Sequence, residues 1–369
     1  MTPILLHVFP SFSIGGQQTR FATIANRLGR RFRHLVISLD GRQQAAALLD
    51  RDLDFTLLPL PAMRPIARLR RIVQMSGETS ADALITYNWG ATEWAMVNRV
   101  WIGRPHIHLE DGFGADEADR QKRRRVWIRS LFLRRSAVVV PSRTLAGIAV
   151  DVWRLDPRHV HYIPNGIDPG RFDNLPRSGD PFFRRRDDEC VIGSFSPLRR
   201  EKNIARLLRV FAQTTVPPEI PTRLIVCGDG PERAALEELA RRLGIAARVT
   251  FTGHVPRSEA VMGAFDILAM TSDTEQMPYA VLEAMAARLP VLATDVGDIA
   301  MMVAEKNRPF IVARDDPDRL AEALATLCAA ADLRRRLGCR NRRRVEQAFG
   351  IDAMVEAFDR LLSAATAAR

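Results

Sequence analysis

Residues 271–297, TSDTEQMPYAVLEAMAARLPVLATDVG, constrain the fold more than any other stretch of this chain. Pro278 suits the first residue of a helix, because it has no N–H to leave unpaired there. The residues that follow are apolar in every direction, as in a buried helix. The run 290–294 then predicts a short core strand. The stretch therefore predicts a loop, a buried helix and a strand.

Two carboxylates stand around the start of this predicted helix. Glu275 precedes it and Glu283 lies inside it, eight positions later. A buried carboxylate must be hydrogen-bonded or paired, and the N–H groups from Tyr279 onward suit a phosphate. The pattern predicts an anion site with a carboxylate on either side. The alternative is structural, with Glu283 paired to a core arginine and Glu275 capping a turn.

Followed by Ala284-Met285-Ala286, these glutamates resemble the paired-glutamate signature of the "glycosyl transferases group 1" family of retaining nucleotide-sugar glycosyltransferases. The resemblance implies the GT-B fold, an α/β architecture of two Rossmann-like doubly wound domains facing across a cleft. It implies that Glu275 lies near the donor sugar and that Glu283 holds the ribose hydroxyls. The diphosphate would lie between them, beside Met277, Pro278 and Tyr279.

A basic loop follows the strand predicted over 190–195. Arg199, Arg200 and Lys202 lie between a strand end and a helix start, a suitable place to hold a diphosphate. Lys202 matches the family's lysine, whereas the family's usual arginine position holds Pro197. Arg199 is therefore the candidate replacement and Arg200 the weaker one. The alternative is a solvated run of charges.

Two glycine turns follow predicted strands. A lone glycine pair or GxG turn is a weak signal, and the third glycine of a dinucleotide fingerprint is missing after residue 230. The resemblance implies that the backbone at these turns approaches the donor, at Gly15 and Gly16 in the first turn and at Gly228 and Gly230 in the second. It also implies that the backbone at Val255 meets the nucleobase.

The segment 106–114, HIHLEDGFG, is a short strand running into a polar loop. The family often has Glu-His-Gly where this chain has Glu-Asp-Gly, so the resemblance gives Asp111 a catalytic role. A carboxylate accepts hydrogen bonds but does not also donate, as an imidazole does. His108, two residues before Glu110 and on the same strand face, is an open candidate that could partly replace the family's histidine. We expect no chemical role for His106.

Alternating strands and helices predict two domains. We expect an acceptor-side domain over 1–168 and a nucleotide-sugar-binding domain over 169–349. The resemblance implies that a terminal helix, 350–369, crosses back to the first domain. Asn165-Gly-Ile-Asp resembles the family's domain junction and makes Asn165 a further candidate. Residues 174–186 are rich in Pro, Gly and charge, as expected of a linker.

The formal charge of +11 favours anionic partners: a phospholipid surface, nucleic acid or an anionic substrate. The alternative is a coding bias toward arginine, which implies no anionic partner. Residues 119–135 predict a basic helix carrying Trp127, which is typical of a membrane-surface element or of a helix packed on its own domain. We expect no signal peptide and no membrane span, hence a cytoplasmic protein, peripheral on the inner face of the plasma membrane. The four cysteines predict reduced core thiols.

The predicted function is retaining transfer of a hexose from a UDP- or GDP-sugar to a glycan or polyprenyl-linked acceptor, in polysaccharide or glycolipid synthesis. Lys202, Arg199 and the helix start would stabilise the leaving diphosphate, with Glu275 and Asp111 beside the sugar. No metal and no other cofactor is expected. The alternatives are a GT-B-like epimerase or phosphorylase and a basic nucleic-acid-binding protein, which would leave the paired glutamates unexplained.

Overall fold

The structure is a computed structural model that describes residues 2–60, 65–117, 120–178 and 181–367. Asp119 of the predicted basic helix, residues 179–180 of the predicted linker and residues 368–369 of the predicted terminal helix lie outside the described residues. The chain divides into two compact units. The first comprises Met1–Gly112, Arg120–Gly166 and Asp352–Arg369; the second comprises Phe113–Asp119 and Ile167–Ile351. The predicted boundary at 168/169 lies two residues from this division.

The first unit is built on seven parallel strands in the order β3-β2-β1-β4-β5-β6-β7. The strands are β1 Ile4–Phe9, β2 Arg33–Ser38, β3 Phe55–Leu58, β4 Ala83–Tyr87, β5 His106–Leu109, β6 Ala137–Val140 and β7 Val160–Tyr162. The helices are α1 Gly16–Leu28, α2 Pro65–Glu78, α3 Thr92–Val97, α4 Arg123–Phe132, α5 Arg143–Asp151 and, at the C-terminus, α13 Ile351–Ala367.

The second unit is built on six parallel strands in the order β10-β9-β8-β11-β12-β13. The strands are β8 Cys190–Phe195, β9 Thr222–Cys227, β10 Val249–Gly253, β11 Ile267–Met270, β12 Val291–Thr294 and β13 Ile311–Val312. The helices are α6 Ile204–Gln213, α7 Arg233–Arg242, α8 Glu259–Met262, α9 Tyr279–Ala286, α10 Ile299–Met302, α11 Pro317–Ala329 and α12 Ala331–Ala348. The predicted class, α/β with two Rossmann-like doubly wound sheets, is confirmed.

The helix predicted after Pro278 is α9, and its apolar residues are buried as expected. Val281, Leu282 and Met285 belong to the core cluster on which α9 packs in the second unit. Both faces of a parallel sheet are covered by helices, so its strands are continuous apolar runs. This is why the strand predicted over 290–294 could be placed from the sequence to within one residue of β12, Val291–Thr294.

The cysteines follow the prediction in part. Cys190, Cys227 and Cys328 are free and buried in the second unit, whereas Cys339 is exposed on α12. The expectation of a core thiol is wrong at Cys339, because this position lies on the outward side of an arginine-rich helix. No helix in the described part of the chain is both long enough and apolar enough to cross a membrane.

Candidate functional site

Doubly wound sheets bind ligands beyond the carboxyl ends of their strands, where the strand order reverses. In the second unit this reversal lies between β8 and β11, which are adjacent in the sheet although they are far apart in the chain. The loop after β8 carries Lys202, and the loop after β11 carries Glu275. The topology therefore brings the two most specific sequence candidates to one edge of one sheet.

Lys202 and Glu275 form an ion pair at this edge. Nζ of Lys202 lies 2.6 Å from Oε1 of Glu275, and the Ser272 hydroxyl donates to the same oxygen at 2.8 Å. The lysine side chain is 21% exposed and the glutamate side chain 9%. Both donors use Oε1, and no residue in the described part of the chain donates to Oε2. The pair is thus held in place with one carboxylate oxygen and part of the ammonium left for a ligand.

Asp273 joins the two loops below this pair. Its carboxylate accepts from Nδ2 of Asn203 at 3.0 and 3.1 Å and from Nη2 of Arg206 at 2.7 Å. Arg206 also donates to the carbonyl of Thr271 at 2.7 Å. Asp273, Asn203 and Arg206 are positioning residues that were not predicted from the sequence. One signal was available, since Asn tolerates the left-handed φ of +45° found at Asn203 and is a preferred helix N-cap.

Gly228 and Gly230 pack against the backbone of the lysine loop. A Cβ on Gly228 would lie 1.9 Å from the carbonyl oxygen of Ser196, and one on Gly230 would lie 2.4 Å from that of Leu198. Their φ angles of +144° and +159° also favour glycine. The glycines let the turn after β9 support the loop that carries Lys202. Direct contact of this turn with a donor stays a prediction.

We expect Gly228→Ala to destabilise the second unit by about 2–4 kcal/mol, because the added methyl meets backbone that cannot move aside and the φ angle is unfavourable for alanine. Urea unfolding measures this. Gly244→Ala is the matched control, since Gly244 also has a positive φ of +70° but has nothing within 4 Å of an added Cβ. The control should lose only about 1 kcal/mol. Equal losses in the two variants would contradict the packing role of Gly228.

The glutamate loop is supported by a third glycine. Gly297, with φ +58°, lies under the backbone of Glu275, where a Cβ would come within 2.3 Å of the carbonyl oxygen. The loop leads into α9, whose N-cap is Pro278, one residue earlier than predicted for this proline. No side chain caps α9 and no acid lies in its first turn, so its positive end suits an anion.

Val255 and Met277 offer only their main chain to a ligand at this edge. Both side chains are buried in the core cluster of the second unit. The predicted contacts of these two residues with the donor are therefore compatible with the structure only through backbone groups. Tyr279, the first residue of α9, is half-buried beside the same cluster.

Glu283 lies on α9, one turn beyond its start, and is half-buried. Burial raises the pKa of Glu283 to about 7; the Ser258 hydroxyl opposes this rise, the charge of Glu259 adds to it and Arg171 opposes it. Arg171 is committed to Glu259, with Nε 2.8 Å from Oε1. No arginine among the described residues pairs with Glu283. The structural alternative of a core ion pair at Glu283 is therefore not what the chain forms.

Arg199 and Arg200 are exposed in the lysine loop. Arg199 is the N-cap of the short turn Arg200–Lys202, and neither guanidinium pairs with a carboxylate among the described residues. Both arginines are near Lys202 in the chain, but the structure does not fix either side chain against Glu275. Their predicted role in holding a diphosphate stays a prediction.

In the first unit, Asp111 is held from two sides. Oδ1 lies 2.5 Å from Nη2 of Arg20, and Oδ2 accepts from Nε2 of Gln17 at 2.8 Å. Arg20 is 1% exposed and donates through Nη1 to Asn165 at 3.2 Å. Asp111 is thus a fixed hydrogen-bond acceptor that ties α1 to the loop after β5. The predicted catalytic role of Asp111 is left untested by this arrangement.

The glycine pair begins the same helix. Gly15 is the N-cap of α1 with extended backbone, φ −170°, which any residue adopts, and Gly16 is the exposed first residue of α1. Backbone conformation therefore does not require glycine at position 15. The pair leaves the start of α1 without side chains, as close approach of a ligand would need.

The two histidines of β5 lie inside the first unit. His108 is 0% exposed, and its Nδ1 lies 2.8 Å from the Thr86 hydroxyl, which also lies 2.8 Å from Nε2 of His106. Nε2 of His108 lies 3.5 Å from Glu110. Because it is enclosed, His108 does not reach a ligand from this position. The contacts of both histidines with Thr86 favour a structural role for them.

Comparison with known proteins covers both units. Residues 180–344 match the model of the family "Glycosyl transferases group 1", and residues 14–171 match "Glycosyltransferase Family 4". The D-inositol 3-phosphate glycosyltransferase of Stackebrandtia nassauensis is 30% identical over 283 residues, covering 69% of this chain and 62% of that protein. The 2-deoxystreptamine glucosyltransferase of Streptomyces kanamyceticus is 30% identical over 208 residues, covering 54% and 52%.

The matched regions span about half to three-fifths of the length of these curated relatives. Among solved structures, Anabaena HepE in complex with UDP and glucose superposes with a TM-score of 0.82 at 20% identity, covering 98% of this chain and 100% of that one. This similarity shows that the two chains share a fold.

Proposed function

Because this chain belongs to the glycosyl transferases group 1 family and has the GT-B fold, we propose that it transfers a hexose from a nucleoside diphosphate sugar to an acceptor hydroxyl, with retention of configuration. The observation that carries the proposal is the Lys202–Glu275 pair at the strand-order reversal of the second unit. A cation and an uncapped helix start next to a carboxylate with an available oxygen fit a sugar attached to a diphosphate.

Each group has a distinct task in this proposal. Lys202 and the start of α9 neutralise the diphosphate, with Arg199 or Arg200 completing the positive charge. Oε2 of Glu275 accepts a hydrogen bond from a hydroxyl of the sugar, while Glu283 accepts hydrogen bonds from the ribose hydroxyls. The turn at Gly228 and Gly230 supports the lysine loop, and the backbone near Val255 and Met277 lines the nucleoside.

The proposed reaction keeps atoms and protons balanced. The bond between the anomeric carbon and the diphosphate oxygen breaks through an oxocarbenium-like state. The acceptor oxygen then bonds to the anomeric carbon on the face that the diphosphate leaves. The acceptor proton passes to the departing phosphate oxygen. Positive charge preorganised at Lys202 stabilises the leaving group, so the proposal requires no metal ion.

The donor and acceptor classes are also proposals. UDP is the favoured nucleotide, since the similar HepE structure holds UDP and glucose, and GDP is the second choice. The acceptor proposed from the basic surface of this chain is a glycan or a polyprenyl-linked glycan, in polysaccharide or glycolipid synthesis. The names of the curated relatives instead point to small polyols, inositol phosphate and deoxystreptamine, so both acceptor classes belong in any assay.

A thermal-shift titration tests the donor part of the proposal. We expect one of UDP, GDP or ADP, or its hexose conjugate, to raise the melting temperature by about 5 °C at a hundredfold excess over its Kd, because the ligand binds only the folded chain. The shift should persist in EDTA. The absence of a shift with every diphosphate would contradict the proposal. Conversion of a sugar nucleotide without any acceptor would identify an epimerase instead.

A further inference from the structure

The exposed apolar side chains of this protein are concentrated on neighbouring helices of the first unit. Three elements carry them: α2, the π-helical turn Asn98–Ile102 that extends α3, and α4. The turn and α3 both contact α2, and α3 contacts α4. Of the nine exposed large hydrophobic residues in the described chain, six lie here: Leu69, Val73, Val100, Trp101, Trp127 and Leu131. We call this set of residues the tryptophan face.

The two tryptophans are unusually open to solvent. Trp101 and Trp127 are each 63% exposed, although a tryptophan ring gains considerable free energy when it leaves water. An apolar surface of this kind on a compact unit marks an interaction site. The tryptophan face therefore calls for a partner that accepts both rings and aliphatic side chains.

Basic residues are dense in α4 and in the residues that flank it. Residues 120–135, RQKRRRVWIRSLFLRR, contain eight Arg and Lys residues and no Asp or Glu. Arg123, Arg124 and Arg135 are exposed, and the structure gives them no carboxylate partner among the described residues. These three exposed arginines, on or next to the helix that carries Trp127, are complementary to a negatively charged surface.

The orientation of α4 is fixed from beneath by Arg129. This arginine is buried, its Nε donates to Glu110 at 3.1 Å, and its guanidinium carbon lies 5.1 Å from the ring centre of Trp89 and 4.9 Å from that of Trp153. The helix thus buries Arg129 and Ile128 and turns Trp127 outward. The exposure of Trp127 follows from how α4 is anchored: the helix packs Ile128 on its own unit, as one of the two expectations has it, but leaves Trp127 and Leu131 exposed.

We propose that the tryptophan face docks on a membrane surface rich in anionic phospholipid. Tryptophan favours the boundary between headgroups and acyl chains, and arginines just outside it attract acidic headgroups. The aliphatic members, Leu69, Val73, Val100 and Leu131, decide against single-stranded nucleic acid, whose bases stack on aromatic rings. Docking requires neither a sugar nucleotide nor transfer, so this inference stands apart from the proposed function.

Vesicle co-sedimentation of the full chain tests the proposal. We expect tighter binding to vesicles containing phosphatidylglycerol than to pure phosphatidylcholine, with loss at high salt. Arg123→Gln with Arg124→Gln should weaken binding about twenty-five-fold, at roughly fivefold per arginine near an anionic surface. Trp101→Ala with Trp127→Ala should abolish the blue shift of tryptophan fluorescence on vesicle addition. The melting temperature and nucleotide shift of both variants should match the parent.

Arg336→Gln with Arg340→Gln is the matched control. Both arginines are exposed on α12 of the second unit, and no described carboxylate pairs with them. The control removes the same charge and should leave vesicle binding within about twofold of the parent. An equal loss in the control would overturn the proposal, because net charge alone would then explain binding. Tighter binding to an oligonucleotide, lost with the tryptophan variants, would also overturn it.

Discussion

Replacing Lys202 with alanine is expected to lower kcat by about a hundredfold to a thousandfold, as removal of one preorganised charge from a leaving-group site does. The ammonium sits 2.6 Å from Glu275, so the charge is already in place before the diphosphate departs. The fold should be little affected, because Glu275 keeps its hydrogen bond from Ser272 and the pair is partly exposed. Release of the nucleoside diphosphate from the sugar nucleotide measures the change.

The chain contains its own control for this substitution. Lys306 occurs in the same tripeptide, Glu-Lys-Asn, at 305–307, and is exposed in the second unit. Lys306→Ala removes an equal charge and should keep full turnover. Lys202→Arg should retain part of the activity, because it keeps the charge with a different shape. A Lys202→Ala protein with unchanged kcat would contradict the proposed role of this lysine in stabilising the leaving group.

Glu283→Gln is expected to stabilise the empty protein at pH 8 by about 1–2 kcal/mol, a value reduced from the full pKa shift because Glu283 is half-buried. The folded pKa of Glu283, about 7, lies above its ordinary value of 4.5. The neutral acid is therefore favoured in the fold, and ionisation destabilises it. This destabilisation is absent below pH 4.5, grows as the pH rises to 7 and is constant above that. Urea unfolding at pH 5 and pH 8 should show the loss in the parent and not in the variant.

The same substitution should weaken nucleotide binding tenfold to about a hundredfold, since a hydrogen bond to an ionised acceptor contributes more than one to an amide. In the parent, the affinity should increase as the pH rises through about 7, because the ribose hydroxyls donate to the ionised form of Glu283. Glu305→Gln, at an exposed position, is the control for both measurements. Weaker nucleotide binding at higher pH, or a Glu283→Gln variant that binds the nucleotide as the parent does, would contradict the predicted contact between Glu283 and the ribose.

The buried elements of this fold were predictable from the sequence because their signals are local. The strand Cys190–Phe195 and the helix after Pro278 are dominated by apolar residues, which parallel sheets and core helices require. The two-residue strand Ile311–Val312 and helix α5, Arg143–Asp151, were not predicted. The strand is too short for any periodicity to appear.

The site was predictable only where one segment carries its own signature. Glu275 and Glu283 share a segment with a family pattern, whereas the partner of Glu275 lies 73 residues away in the chain. Likewise, the sequence around Asp111 does not predict its ion pair with Arg20, and the sequence around Gly228 does not predict its close approach to the carbonyl of Ser196. Such contacts arise from sheet order, so they became visible only in three dimensions. The burial that raises the pKa of Glu283 is of the same kind.

Calorimetric titration of one nucleoside diphosphate and its parent nucleoside tests the central claim most directly, that Lys202 and the start of α9 hold the diphosphate of a sugar nucleotide. The parent protein should bind the diphosphate at least about tenfold more tightly than the nucleoside. Lys202→Ala should lose most of that difference and bind the nucleoside unchanged, with Lys306→Ala behaving like the parent. A Lys202→Ala protein that binds the diphosphate as tightly as the parent would contradict the account.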